Sequence, residues 1–322
     1  MVISIIAVVA FAASFASILV MLPLLHRAGV VGPDVHKLHK PKIPEMGGLA
    51  IVAGFGAGIL VAIAMKTFWP DSFSIDLTAL LAVLCTVLLT TLIGIADDLF
   101  GVRQWLKALL PIIASLPLVS IRAGVSTMRI PLIGQVDFGP FYALVLVPLG
   151  ITGAANAVNM LAGFNGLEVG MGLVAMGALA VIAGDLHAVT SLVLLLAGIG
   201  ALLGVIYFNW YPARVFVGDV GTLSIGAIIA SAVIVGNFEW AGVVVIIPYA
   251  LDFLLKAAHG FPSQGWWGEL REDGKLHCPG DDPVGLGQLI MKLTGGIHER
   301  TLVLTLIGIE ALCGLMAVLL YR

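Results

Sequence analysis

Charge is what this chain has least of. Asp, Glu, Lys and Arg make up 11% of its 322 residues against 60% hydrophobic residues, and mean hydropathy is +1.10. Soluble domains carry about 25% charged residues, so a soluble globular fold is excluded. Cys85, Cys278 and Cys313 have neither metal-site nor disulfide spacing, which removes a stapled or zinc-built scaffold. The chain has no Asn-x-Ser/Thr acceptor and no Walker loop, and its C-terminal LLYR carries no prenylation signal. Gly54, Gly56 and Gly58 lie in an apolar run with no strand before it, so they are not a dinucleotide fingerprint. No basic residue precedes Arg27, so the first 25 residues read as a retained helix rather than a secretory leader.

Long apolar runs fill the remainder. At roughly 20 residues per crossing, ten spans are expected, near 2–25, 47–65, 77–96, 106–121, 141–157, 166–183, 188–207, 221–236, 240–257 and 301–321. The expected fold is an all-α polytopic membrane protein, a single domain over 1–322. Twelve of the 16 Lys and Arg residues fall in the odd-to-even connections. That bias makes those loops cytoplasmic and both termini extracytoplasmic. The longest such loop contains GELREDGKLHC, which reads as a small β-hairpin around Asp273-Gly274. Trp266 and Trp267 before it suit the membrane interface. A second small hairpin is expected outside, within 122–140.

Acids follow the same division, 13 of 19 on the cytoplasmic side, which the charge bias does not require. YFNWYPARVFVGDVG, 207–221, is too polar for lipid and carries Asn209, Arg214 and Asp219 between two spans. Irregular backbone at a membrane edge must face water, protein or a ligand. Loop 26–48 combines Asp34 and Glu45 with four basic residues and three histidines. A basic patch gripping anionic lipid explains the lysines but not the acids. Adjacent Asp97 and Asp98 end the third span, and Lys107 opens the fourth. Asn156 and Asn159, three apart, share a helix face, and Asn165 follows; helix packing by amides is the plainer alternative. Glu310, inside the last span, suits snorkelling or a helix–helix contact.

What these groups share is oxygen ligands, a few positive charges and apolar walls at one membrane face. Mg²⁺ takes one or two carboxylates plus substrate phosphates, and Lys and Arg suit phosphate. Such a site fits a reaction between a water-soluble phosphate compound and a lipid phosphate.

Four ordered motifs sharpen this: PDVHKLHKPKIPEMGG, IGIADDLFGVRQWLKALLPIIASLPL, NAVNMLAGFNGLEVG and NWYPARVFVGD. Through them nearly the whole chain resembles the polyprenyl-phosphate N-acetylhexosamine-1-phosphate transferases. The likeness is strongest to those that pass GlcNAc-1-phosphate from UDP-GlcNAc to dolichyl phosphate. The resemblance implies ten helices, a cytoplasmic site, a UDP-N-acetylhexosamine donor, a polyprenyl or dolichyl phosphate acceptor and Mg²⁺, with Mn²⁺ expected to substitute. It implies no nucleic-acid partner and leaves a homodimer open. It makes Asn159 and Asp219 metal ligands and puts Lys107 on phosphate, with Asp97 and Asp98 beside the lipid phosphate. Asn165 would bind the uracil and Phe216 stack on it. Pro33, Asp34, Val35 and Glu45 would contact the nucleotide sugar, with Asn156, Arg214, Lys256 and His259 as further substrate contacts.

Two positions depart from the family pattern. Gly101 stands where the dolichol enzymes have asparagine. The last cytoplasmic loop lacks their Arg-His-Arg cluster and offers only Lys256 and His259. A transporter of an anionic solute is the rival reading, and it would want charge near the midplane and repeated broken helices. An intramembrane aspartyl protease would need two carboxylates sharing a proton inside the membrane.

Overall fold

The computed structural model describes residues 2–70, 74–130, 134–262 and 267–322; Trp266 lies outside these. Each expected span becomes a helical segment. Among the described residues eight helices are long and apolar enough to cross a membrane singly. They are α1 (Val2–Ala28), α2 (Gly48–Phe68), α3 (Leu77–Phe100), α6 (Val147–Leu161, with a π-helical turn at Tyr142–Leu146), α7 (Leu167–Asp185), α8 (Val189–Asn209), α9 (Gly218–Gly236) and α13 (Glu299–Leu320). The chain is an integral membrane protein.

Proline marks the two segments that are divided into paired helices. The fourth is α4 (Gln104–Ala114) followed by α5 (Leu116–Ser120). Pro117 has no N–H for the Ile113 carbonyl, and the Ser115 hydroxyl donates to the Ile112 carbonyl at the break, 2.6 Å. The ninth is α10 (Glu239–Val245) and α11 (Ile247–Ala258), bent by 59°. There Pro248 cannot donate to the Val244 carbonyl. The Tyr142–Leu146 turn likewise comes just before Pro148. A short helix, α12 (Leu286–Thr294), lies in the last long loop.

Every residue of α9 from Val220 to Ile234 is buried, because small residues let its neighbours close in. A β-carbon on Gly48 of α2 would meet the Gly221 nitrogen at 2.1 Å, and one on Gly94 of α3 would meet Val220 Cα at 2.5 Å. The Thr91 and Ser224 hydroxyls, 3.0 Å apart, join α3 to α9. This packing holds the N-terminus of α9, and with it Asp219, between α2 and α3. Glu310 is fully buried in α13, so it does not snorkel, and neither carboxylate oxygen has a hydrogen-bond partner among the described residues.

Three antiparallel hairpins cover the helix ends among the described residues. The expected cytoplasmic one pairs β5 (Glu269–Leu270) with β6 (Leu276–His277), turning at Gly274 with φ +73°. The exposed Asp273 carboxylate is held below its ordinary range, first by the Lys275 N–H and then by His277. Leu276 also exchanges backbone hydrogen bonds with Ile297, at 2.8 and 3.0 Å, which docks the hairpin beside the start of α13. The expected second hairpin pairs β3 (Thr127–Ile130) with β4 (Gly134–Asp137). A third, β1 (Val31–Pro33) with β2 (Lys42–Pro44), folds the first loop back on itself and was not anticipated.

Candidate active site

The ends of α3, α4, α6 and α9 converge on one group of polar side chains. Lys107, one turn into α4, places Nζ 2.6 Å from Asp97 Oδ2 and bonds Asp219 Oδ2. Asn159 Nδ2 donates to Asp219 Oδ1 at 2.6 Å and to the Thr222 hydroxyl at 2.8 Å. That spends the amide nitrogen and leaves the Asn159 carbonyl oxygen for the adjacent cavity, which Asn159, Asp97, Lys107 and Asp219 all line. Thr222, three residues after Asp219 and buried, is a member of the group that sequence reasoning missed; the helical spacing from Asp219 was its signal.

Asp98 turns away from Asp97. Its oxygens accept the backbone N–H groups of Asp219, 2.9 Å, and Val220, 3.2 Å, an anion on the positive end of α9. Gly218 makes this contact feasible. Its φ is +68°, and a β-carbon there would lie 2.6 Å from Asp98 Oδ2. Asp98 therefore anchors the first turn of α9, which carries Asp219, whereas Asp97 faces the cavity. Asn156 also acts on a neighbour: its Nδ2 donates to the Ala108 carbonyl at 3.0 Å, fixing α4 to α6 beside Lys107.

The first loop runs alongside 216–217. Phe216 N donates to the Pro44 carbonyl, and Gly47 N to the Phe216 carbonyl, both at 2.8 Å. This brings half-buried Phe216 next to Glu45, whose carboxyl is pushed above its ordinary range by burial first and the Asp98 charge second. Pro33 is exposed and Val35 half-buried on the same loop.

Asp34 and Asn165 are placed differently from a pair of substrate-facing side chains. Both are buried, and they bond each other, Nδ2 to Oδ2 at 3.3 Å. Asn165 Oδ1 accepts the Ala213 N–H at 2.6 Å, and Glu299 accepts its Nδ2 at 2.8 Å. The amide thus fixes the α6–α7 turn. Asp34, His36 and Glu299 bring ligand atoms within 4.8 Å of one another, a spacing that would suit a metal ion. The Lys37 ammonium already supplies positive charge there, 2.5 Å from Glu299 and 3.3 Å from Asp34.

Of the remaining candidates, buried Lys256 lines the cavity, 2.8 Å from Asp252 and bonded to the Met160 carbonyl next to Asn159. Arg214 is exposed, its guanidinium 5.0 Å from the centre of the Tyr207 ring. His259 is not brought to the group; it is exposed after α11, its ring 2.8 Å from the Leu255 carbonyl.

The cavity has a volume of about 1300 Å³ and its walls are mainly apolar. Tyr142, Leu146, Leu149, Gly153, Asn156 and Asn159 form one wall at helical spacing. Gly242, Val243, Ile246, Ala250 and Phe253 form the other. From Tyr142 to Asn159 the wall is roughly 26 Å long at 1.5 Å per residue, close to the hydrocarbon thickness of a bilayer, about 30 Å. The charged group stands at one end, and Tyr142, bonded to Glu239, at the other.

Comparison with known proteins agrees with this arrangement. Residues 80–237 match the model of glycosyl transferase family 4. A Saccharolobus solfataricus protein, assigned by name as a UDP-N-acetylglucosamine–dolichyl-phosphate N-acetylglucosaminephosphotransferase, is 38% identical over 90% of this chain and 88% of its own. The Dictyostelium discoideum protein of that name is 30% identical over 90% of this chain and 81% of its own. A Lacticaseibacillus paracasei phospho-N-acetylmuramoyl-pentapeptide-transferase is 30% identical over 69% and 70%. With motifs, spans and relatives in agreement, the chain belongs to glycosyl transferase family 4.

Proposed function

We propose that this enzyme transfers N-acetylglucosamine 1-phosphate from UDP-GlcNAc to a polyprenyl phosphate of dolichyl type, releasing UMP. One observation carries the reading: the Asp97–Lys107–Asp219–Asn159 group stands at the mouth of an apolar groove nearly as long as the hydrocarbon core of a bilayer is thick. A phosphate group enters the charged end while its hydrocarbon chain occupies the groove. The names of its relatives support a transferase and not the transporter alternative. The site's charges also gather at one end rather than at the midplane.

A divalent cation, Mg²⁺ in the first instance, fits the donor set of Asp219, Asp97 and the Asn159 carbonyl oxygen, all hard oxygens. When bound it neutralises diphosphate charge. The chain's own residues do the rest. Lys107 holds the transferred phosphoryl group, and Asp97 with Asp219 holds Lys107. The loops around Phe216 and Asn165 hold the nucleotide, with Pro33, Val35 and Glu45 along the sugar, and Lys256 closes the inner wall.

Displacement is direct. An oxygen of the lipid phosphate bonds to the β-phosphorus of UDP-GlcNAc, and the bond from that phosphorus to the bridging oxygen breaks, the oxygen leaving with UMP. A phosphate monoester has a second pKa near 6 and is largely dianionic at neutral pH, so no general base is required. The competing scheme, an aspartyl-phosphosugar intermediate, would bring Asp97 or Asp219 to bond an already anionic phosphorus. Labelled UMP should exchange into UDP-GlcNAc only when polyprenyl phosphate is present. Robust exchange by lipid-free enzyme would overturn direct displacement.

The site faces the cytoplasm in this proposal, and both termini face away from it. In protein with Cys278 replaced by serine, Lys275→Cys should resist an impermeant thiol reagent applied outside and Ile130→Cys should react. The opposite pattern would invert the orientation.

A further inference from the structure

Glu299 opens α13, and sequence reasoning counted it only as one more acid on the cytoplasmic side. It is 5% exposed, and its carboxylate is divided among three partners. Oε1 accepts both the backbone N–H of Asn165, 2.9 Å, and its Nδ2, 2.8 Å. His36 Nδ1 is 3.5 Å from the same oxygen, and Lys37 Nζ is 2.5 Å from Oε2. Each partner reaches further. Asn165 takes the Ala213 N–H. Lys37 touches Asp34 and lies 4.2 Å from the centre of the Tyr211 ring. The His36 ring stacks on Phe164, centroids 4.8 Å apart.

One carboxylate thus joins the β1–β2 loop, the α6–α7 turn and the α8–α9 loop. These are the segments that carry Asp34, Asn165 and Phe216. Glu299 does not line the groove, and its oxygens are occupied by protein donors. Hydrogen bonds to an ionised group are about twice as strong as neutral ones, and a buried donor left without its acceptor costs more than the bond is worth. Backbone hydrogen bonds at Phe216 and Gly47 tie the first loop to the α8–α9 loop, whereas the α6–α7 turn is tied to both through the side chains of Asn165 and Glu299.

We propose that Glu299 is a positioning residue for the nucleotide pocket. Acting through Asn165 and Lys37, it holds the loops at the separation the UDP moiety requires. The proposal rests on the nucleotide reading of this site given above.

The test compares Glu299→Gln, Lys37→Met and the double variant with wild type in purified, lipid-reconstituted protein. Glu299→Gln keeps an acceptor for Asn165 but turns an amide N–H toward the Lys37 ammonium. Lys37→Met leaves the Glu299 and Asp34 carboxylates facing each other. Each should raise KM for UDP-GlcNAc about tenfold, the loss expected for one hydrogen bond to a charged group. KM for polyprenyl phosphate and kcat at saturating donor should change less than about threefold. The double variant removes the mismatch between these two positions but still leaves Asp34 without its cation, so it should recover part of the loss.

A fall in kcat at unchanged donor KM would overturn the proposal, as would a double variant no better than the worse single one. Titration of UDP onto the same proteins separates this result from the function itself. If wild type binds UDP but releases no UMP from UDP-GlcNAc, the transfer reading falls, and the ratio of variant to wild-type UDP affinity still decides the role of Glu299. If wild type binds no UDP, both fall. Should Glu299→Gln fail to fold, Lys37→Met alone must show the selective loss of UDP affinity, and unchanged affinity there would overturn the proposal.

Discussion

Asp219→Asn is expected to lower kcat at least about a hundredfold, the loss typical of removing one electrostatic contact made to the transition state, while the protein still folds. The substitution keeps the shape of the side chain and removes its charge. Lys107 loses one of its two carboxylates, and the groove mouth loses a charged oxygen toward any bound cation. Folding should survive because Asp98 caps α9 through the main-chain N–H groups of 219 and 220, which asparagine retains. UMP release per folded molecule, with size-exclusion behaviour as the control, checks this. Normal turnover by a well-folded Asp219→Ala protein would remove the residue from the site.

Lys107→Gln should cost roughly 2–4 kcal/mol of transition-state stabilisation. The ammonium stands between Asp97 and Asp219, so its loss leaves two carboxylates facing each other where two anionic phosphates must also enter. A lysine at a membrane edge can also simply reach for water. If glutamine lowers expression but leaves turnover per folded molecule intact, that simpler role is the correct one.

The spans were legible because apolar runs of about 20 residues have one use in a membrane, and the hairpin at Asp273-Gly274 because its turn is local. The bend between α10 and α11 was less legible. Pro248 marks it, but proline inside membrane helices is common and does not state an angle. The β1–β2 hairpin has three-residue strands, too short for an alternating pattern to show. Within the site, Asp219, Lys107 and Asn159 declared themselves by being polar where lipid tolerates little. Asp98 could not be separated from Asp97, since neighbours on a helix end differ only in direction. Glu299 was hidden for another reason. Its partners Asn165 and Lys37 lie 134 and 262 residues away, so no spacing in the sequence connects them.

The groove described above is not sealed. Leu149, Val243 and Phe253 belong to its walls yet are 56%, 47% and 39% exposed, so it opens sideways through the flank of the helix bundle. In the transfer proposed above, the two substrates reach one reaction centre from different phases. UDP-GlcNAc arrives by diffusion in three dimensions, at a concentration set by the aqueous volume. The polyprenyl phosphate arrives by diffusion in a sheet, and what the enzyme meets is its mole fraction among the surrounding lipids. Adding inert phospholipid at constant total acceptor would slow the reaction as competitive dilution does, although no competitor binds and the bulk concentration is unchanged.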